Sequence, residues 1–169
     1  MNLHYKELLP SNFSPHSRVW IYQSNRLFSL SEALELEKIL ESFIGDWKAH
    51  GQPVKGFANL FFGQFIIIMA DEENTTVSGC STDSSVRLIK AIEEGFKVNL
   101  FDRTQLAFYI NEKIQLLPLS QIDYALSHQF LQADTLFFDH SVGSKKELEE
   151  RWIVPLSTTW LGKRYLVNI

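Results

Sequence analysis

The spacing of apolar residues changes character several times along the first two thirds of the chain. "RVWIYQ" (18–23) has a β-branched and aromatic centre and predicts a strand. "SLSEALELEKILESFIGDW" (29–47) changes to helical spacing, with Leu30, Leu34, Leu36, Ile39, Leu40 and Phe43 as the apolar stripe. Ser29 and Glu32 stand three apart, the pattern of a capping box. "HGQPVKG" breaks the helix, and the apolar run "ANLFFGQFIIIMA" (58–70) predicts a strand centred on 64–70. "DEENTT" predicts a turn and "VSGC" (77–80) a short strand. "DSSVRLIKAIEEG" predicts a second helix, with Val86, Leu88, Ile89 and Ile92 inward and Gly95 as its stop. "KVNLF" (97–101) predicts one more strand.

The resulting order over 18–101 is β-α-β-β-α-β, the ferredoxin-like arrangement of an α+β domain. Right-handed crossovers then give the strand order 4-1-3-2 with both helices on one face. Residues 102–169 predict an extension: a hairpin of "TQLAFYI" and "EKIQLLP" about Asn111, a helix in "LSQIDYALSHQFL", a strand in "DTLFFD", and a helix in "SKKELEERW" with a second capping box at Ser144 and Glu147. Val19 and Ile21 alternate with Trp20 and Tyr22, so the first strand is apolar on both faces, as is "FIIIM". The helices cover one face. The extension packing on the core, or a second copy of the chain in a homodimer, covers the other.

Composition narrows the function classes. One domain of 169 residues is expected, and an apolar fraction of 45% with thirteen Phe argues for a packed core. A net charge of −4 gives no broad footprint for nucleic acid or an anionic membrane. The single cysteine excludes an intramolecular disulfide, and the histidines lack ligand spacing, so no metal site is expected. No cofactor is implied. With no apolar leader and no long apolar run, the expected location is the cytoplasm.

Two stretches echo nucleotide and RNA chemistry. "FIIIMADE" (65–72) reads like a Walker B strand ending at Asp71 and Glu72, but no G-x-x-x-x-G-K-[ST] loop is present to cradle phosphates. "KGFANLFF" (55–62) resembles the RNP1 segment of RNA-binding sheets, with Asn59 where an aromatic belongs. Neither supports the activity it echoes.

Cys80 is the sharper candidate. At a strand end followed by a helix start, a thiol gains from the helix dipole, which favours thiolate and bound anion alike. The predicted topology gathers Arg18, His50, Asp102 and Arg103 at that same rim, beside Ser81 and Asp83. In an enzyme reading, Cys80 is nucleophile or redox thiol, His50 the base, and Arg18 or Arg103 the anion clamp. Ser81, Asp83 and Asp102 complete the ligand-binding set. In the competing reading, Ser81 or Asp83 caps the helix, Cys80 packs as a small apolar residue, and the rim is an Arg–Asp salt-bridge network that pins strand ends.

"SRVWIYQSNR", "WKAHG", "VSGCSTDSSVRLIK", "FDR" and "KKELEERWIVPL…TTW" resemble a family of small bacterial proteins catalogued as ABC transporter ATPase or ABC-type ATPase. The likeness spans roughly residues 17–160, with the "SGCS-D-SV" and "FDR" pieces most distinctive. It implies a single compact cytoplasmic domain and assigns no catalytic residue. Its catalogue name implies nucleotide hydrolysis, which the missing phosphate loop argues against. The expectation is a non-catalytic binding or regulatory module for a protein or a small anionic ligand, with a Cys80 enzyme as the alternative.

Overall fold

The computed structural model describes residues 2–73 and 79–166; within these, the side chains of Cys80 and Ser81 lie outside the description. The chain forms two compact units. The first comprises His4–Asp102 with Gly143–Glu149, and the second Arg103–Val142 with residues from Glu150 onward and the extreme N-terminus.

In the first unit, β1 (Arg18–Gln23) leads through Ser29 into α1 (Leu30–Asp46). The capping box forms as the spacing predicts: the Ser29 side chain accepts from the Glu32 N–H, and Glu32 accepts from the Ser29 N–H. A small hairpin of β2 (Lys48–Ala49) and β3 (Gln52–Pro53) follows. His50 and Gly51 form its turn, both with positive φ, as a two-residue hairpin of this twist requires.

The run 58–70 does not make one strand. It folds back at Phe62 and Gly63, both at positive φ, into β4 (Lys55–Phe61) and β5 (Phe65–Asp71), with Gln64 N donating to Phe61 O. The sheet is antiparallel in the order β1-β5-β4. Its central strand is buried along its whole length.

The two segments expected to supply the third and fourth strands of a ferredoxin-like arrangement, 77–80 and 97–101, are not strands among the described residues. Of the segment 77–80, Val77 and Ser78 lie outside the described residues, and Gly79 and Cys80 already begin α2 (Gly79–Phe96). Residues 97–101 form no strand. The helix runs past Gly95 and stops where Lys97 takes positive φ and Val98 N donates to Glu93 O, the geometry of a Schellman cap. The Asn99 side chain then accepts from the backbone of Phe101 and Asp102 and bends the chain away from an extended path.

Tyr22, Ile66, Ile68 and Ala70 pack with Leu36, Leu40, Ile89 and Ile92 of the helices. The inward face of α1 is thus Leu36, Ile39, Leu40, Phe43 and Ile44, while Leu30 and Leu34 turn outward. Val19, Ile21, Ile67 and Met69 on the opposite face are buried as well, so the sheet is apolar on both sides. Part of that unit is supplied by the far end of the sequence. Val19 N donates to Gly143 O, and the Tyr5 hydroxyl donates to Leu148 O at 2.6 Å. Leu148 lies in α4 (Lys145–Arg151), which starts at Ser144. The Ser144 hydroxyl accepts from the Glu147 N–H, and the Glu147 carboxylate reaches the Gly143 N–H.

The second unit is a sheet in the order β7-β6-β8-β9, built from β6 (Gln105–Ile110), β7 (Lys113–Pro118), β8 (Leu136–Phe138) and β9 (Ile153–Pro155). The expected hairpin turns at Asn111 and Glu112, both at positive φ. The expected helix at 119–131 is cut to a 3-10 turn and α3 (Ile122–Ser127), because Gln129 at positive φ and a Phe130 N to Ala125 O bond close it early. α5 (Trp160–Tyr165) follows a Thr159 cap. Phe108, Ile122, Phe137, Leu156 and Leu161 form this unit's core.

Candidate functional site

Of the residues proposed for one rim, the structure brings some elements together and separates others. The β1 start, the β5 end and the β4 start share one end of the first sheet, because Arg18 stands opposite Ala70 and Lys55 opposite Asp71. Lys48 of β2 meets the early turns of α2 there, across a cleft lined by Phe43, Asp46, Trp47, Lys48, Ser84, Arg87 and Leu88. Cys80 and Ser81 occupy the first turn of α2, and Asp83 is exposed on its next residues. His50 is exposed at the tip of the small hairpin. Arg18 lies over the Trp20 ring at 4.8 Å and 3.8 Å from Glu72.

Asp102 does not join them. Its N–H is held by Asn99, and Asn99 N is held by the side chain of Asn25, just past the C-terminal end of β1. Phe101 packs edge-on against Tyr22, also near that end. Without the fourth strand, nothing carries Asp102 back to the Arg18 end. Arg103 belongs to the second unit, where its charge bears on His140. Asp102 therefore drops out of the rim.

The Walker-like acid has a structural role. Asp71 is buried, which pushes its carboxyl up, yet its pKa lies below the ordinary value. Lys55 Nζ donates to it at 2.6 Å, and the backbone N–H groups of Glu73 and Ser14 donate as well. Those donors occupy the carboxylate that a Walker B strand would offer to a metal. Among the described residues no group of three or more His, Cys, Asp or Glu is placed to hold a metal ion, and no helix is long and apolar enough to cross a membrane.

The groove between α1 and α2 was not readable from spacing alone. The helices run antiparallel, so each end of the groove joins the start of one to the end of the other. At one end Arg26 donates to both Glu32 oxygens and to Phe96 O, tying the α1 N-terminus to the last carbonyls of α2. The hydrogen bonds from Arg26 hold the Glu32 carboxyl at about 2. Beside this clasp lies a cleft of about 640 Å³ with Ile39, Leu88 and Ile92 in its wall. The other end is the cleft of about 560 Å³ that carries Lys48 and Arg87. The first end is internally neutralised. At the second, neither Lys48 nor Arg87 makes an ion pair among the described residues. The signal that could have found it is the pairing of Lys48, just past α1, with Arg87, eight residues into α2, once the helices are set antiparallel.

No family model matches the chain, nor does any curated protein or solved structure.

Proposed function

We propose that the chain is a cytoplasmic, non-catalytic binding module whose first unit takes a small anionic ligand in the cleft between Lys48 and Arg87. The observation that carries this reading is the pair of cations, one from β2 and one from α2, lining one cleft without a described ion partner, beside Phe43, Trp47 and Leu88. A volume of about 560 Å³ suits a small metabolite, and an apolar lining with a few convergent charges is the usual make-up of such sites. Asp46 on the same rim favours a ligand that also offers a donor, such as the hydroxyls of a phosphorylated sugar or nucleoside.

The placement of Cys80 in the first turn of α2 favours the enzyme reading as an alternative, since a helix start lowers a thiol pKa. Nucleotide hydrolysis is not part of the proposal. The test is a thermal-shift and calorimetric screen of phosphorylated metabolites, nucleotides included. At least one is expected to stabilise the wild type and to lose most of its binding in Lys48→Glu/Arg87→Glu. Absence of any binder, or binding that survives the double substitution, overturns the site.

A further inference from the structure

Among the described residues, β4 is an open edge of the first unit's sheet, hydrogen-bonded to β5 on one side only. The register fixes which of its peptide groups point outward. Ser24 N donates to Gln64 O, so even-numbered residues of β5 turn their peptide groups toward β1 and odd-numbered ones toward β4. Phe57, Asn59 and Phe61 therefore bond to Met69, Ile67 and Phe65, and Gly56, Ala58 and Leu60 face away from the sheet. The Leu60 N–H confirms that direction, because the Asn59 side chain accepts from it at 2.8 Å. Among the described residues, no hydrogen bond reaches the outward groups of Gly56 and Ala58.

A groove of about 350 Å³ runs along this stretch, with Gly56, Phe57, Ala58 and Asn59 on one side and Glu37, Glu41 and Ile44 of α1 on the other. Glu37 and Glu41 are exposed and stand four apart on one helix face. Neither forms an ion pair among the described residues. Side chains at i and i+4 of a helix lie about 6 Å apart, and those at i and i+2 of a strand about 7 Å apart. A strand laid along β4 would thus present successive helix-facing side chains at nearly the spacing of the two glutamates.

We infer that this groove binds an extended basic segment of another protein, which adds to the sheet as a strand beside β4. Its backbone bonds to the outward N–H and C=O groups of Gly56 and Ala58. Its helix-facing lysines or arginines pair with Glu37 and Glu41, and the Asn59 side chain ends the accessible edge at Leu60. Charge complementarity selects this occupant over a second copy of the chain, since two β4 edges joined together would bring four glutamates into one seam. The surface is separate from the anion cleft and opposite to it in charge.

The probe is a fluorescein-labelled heptapeptide alternating lysine with valine, followed by anisotropy. Saturable micromolar binding is expected, with a loss of about tenfold in Glu37→Lys/Glu41→Lys. A probe of the same charge, N-methylated at alternate amides, is expected to lose about tenfold or more because it cannot pair with the edge. That arm leaves the protein unaltered, so it is free of any folding defect. Equal binding of the N-methylated probe, equal binding by the double variant, no saturable binding, or sedimentation showing dimerisation abolished by Ala58→Pro would each overturn the assignment.

Discussion

Asp71 in the first unit is buried and His140 in the second is half-buried with its ring Nε2 out of water, and both are held deprotonated, the one charged and the other neutral. Asp71 stays charged, because Lys55 and two backbone N–H groups outweigh the burial that pushes its carboxyl up. His140 is held neutral: burial, and then the Arg103 charge, push it down to about 3. A carboxylate supplied with donors binds its charge into the fold, whereas an imidazole beside an arginine simply sheds its proton. The consequence is a difference in acid response. The Asp71 contribution is complete above the unfolded carboxyl range and is lost only as pH falls through its lowered value. The His140 penalty begins as pH drops below about 6.5, where the unfolded chain takes up a proton that the folded one refuses.

The largest expected effect comes from removing the cation that keeps Asp71 charged. Lys55→Met leaves a buried carboxylate with two backbone donors and no counter-charge. Breaking such a pair costs about 3 kcal/mol when both partners are buried. With the Lys55 side chain 40% exposed, about 2–3 kcal/mol is expected at pH 7. The variant should recover part of that loss at pH 4, where Asp71 can protonate. Urea denaturation at both pH values checks this, and an equal loss at each would mean that Asp71 is not held ionised.

Lowering the pH from 7 to 5 should cost the second unit about 2 kcal/mol through His140, at about 1.4 kcal/mol per pH unit below 6.5. Hydrogen exchange resolved along the chain separates the units. After correction for intrinsic rates, amides of β6 should exchange roughly thirtyfold faster at pH 5, with β5 little changed, and His140→Gln should remove the difference. If β5 and β6 accelerate together, the two units open as one and the contrast between them fails.

Local signals were legible in the sequence; long-range ones were not. Both capping sequences, the strand at 18–23 and the hairpin about Asn111 follow from side chains within a few residues of each other. The hairpin at Phe62 was hidden because an aromatic residue occupies a position of positive φ that usually advertises itself as Gly or Asn. The fourth strand was expected because "KVNLF" has strand composition, but Lys97 at positive φ and the Asn99 side-chain turn bend it; Lys97 carries no turn signature, and the one that Asn99 carries was outweighed by its apolar neighbours. The proposed rim inherited that error through Asp102. The cleft at Lys48 depends on the α1 end, which the helical pattern located to within a residue, and on the α2 start, which lies at Gly79, four residues before the expected Asp83. The open edge of β4 required the register itself, which no periodicity reveals.

The smallest effect tests whether the first unit can also hold a group neutral. Tyr5 is buried, and burial, followed by the nearby Glu149 charge, raises its phenol to about 12. Its hydroxyl donates to Leu148 O, so Tyr5→Phe should cost about 1 kcal/mol at pH 7. The sign then reverses with pH. Above pH 10 the unfolded chain loses a proton that the folded chain retains, and the wild type forfeits about 1.4 kcal/mol per unit until the folded value is reached. The variant lacks that loss. Lysines and other tyrosines titrate in both proteins and cancel in the difference, so the two stability curves should cross between pH 10 and pH 12, with Tyr5→Phe the more stable above the crossing. Curves that stay parallel to pH 11 would show that the phenol ionises freely, and that the first unit, unlike the second, tolerates buried titratable groups only in their charged form.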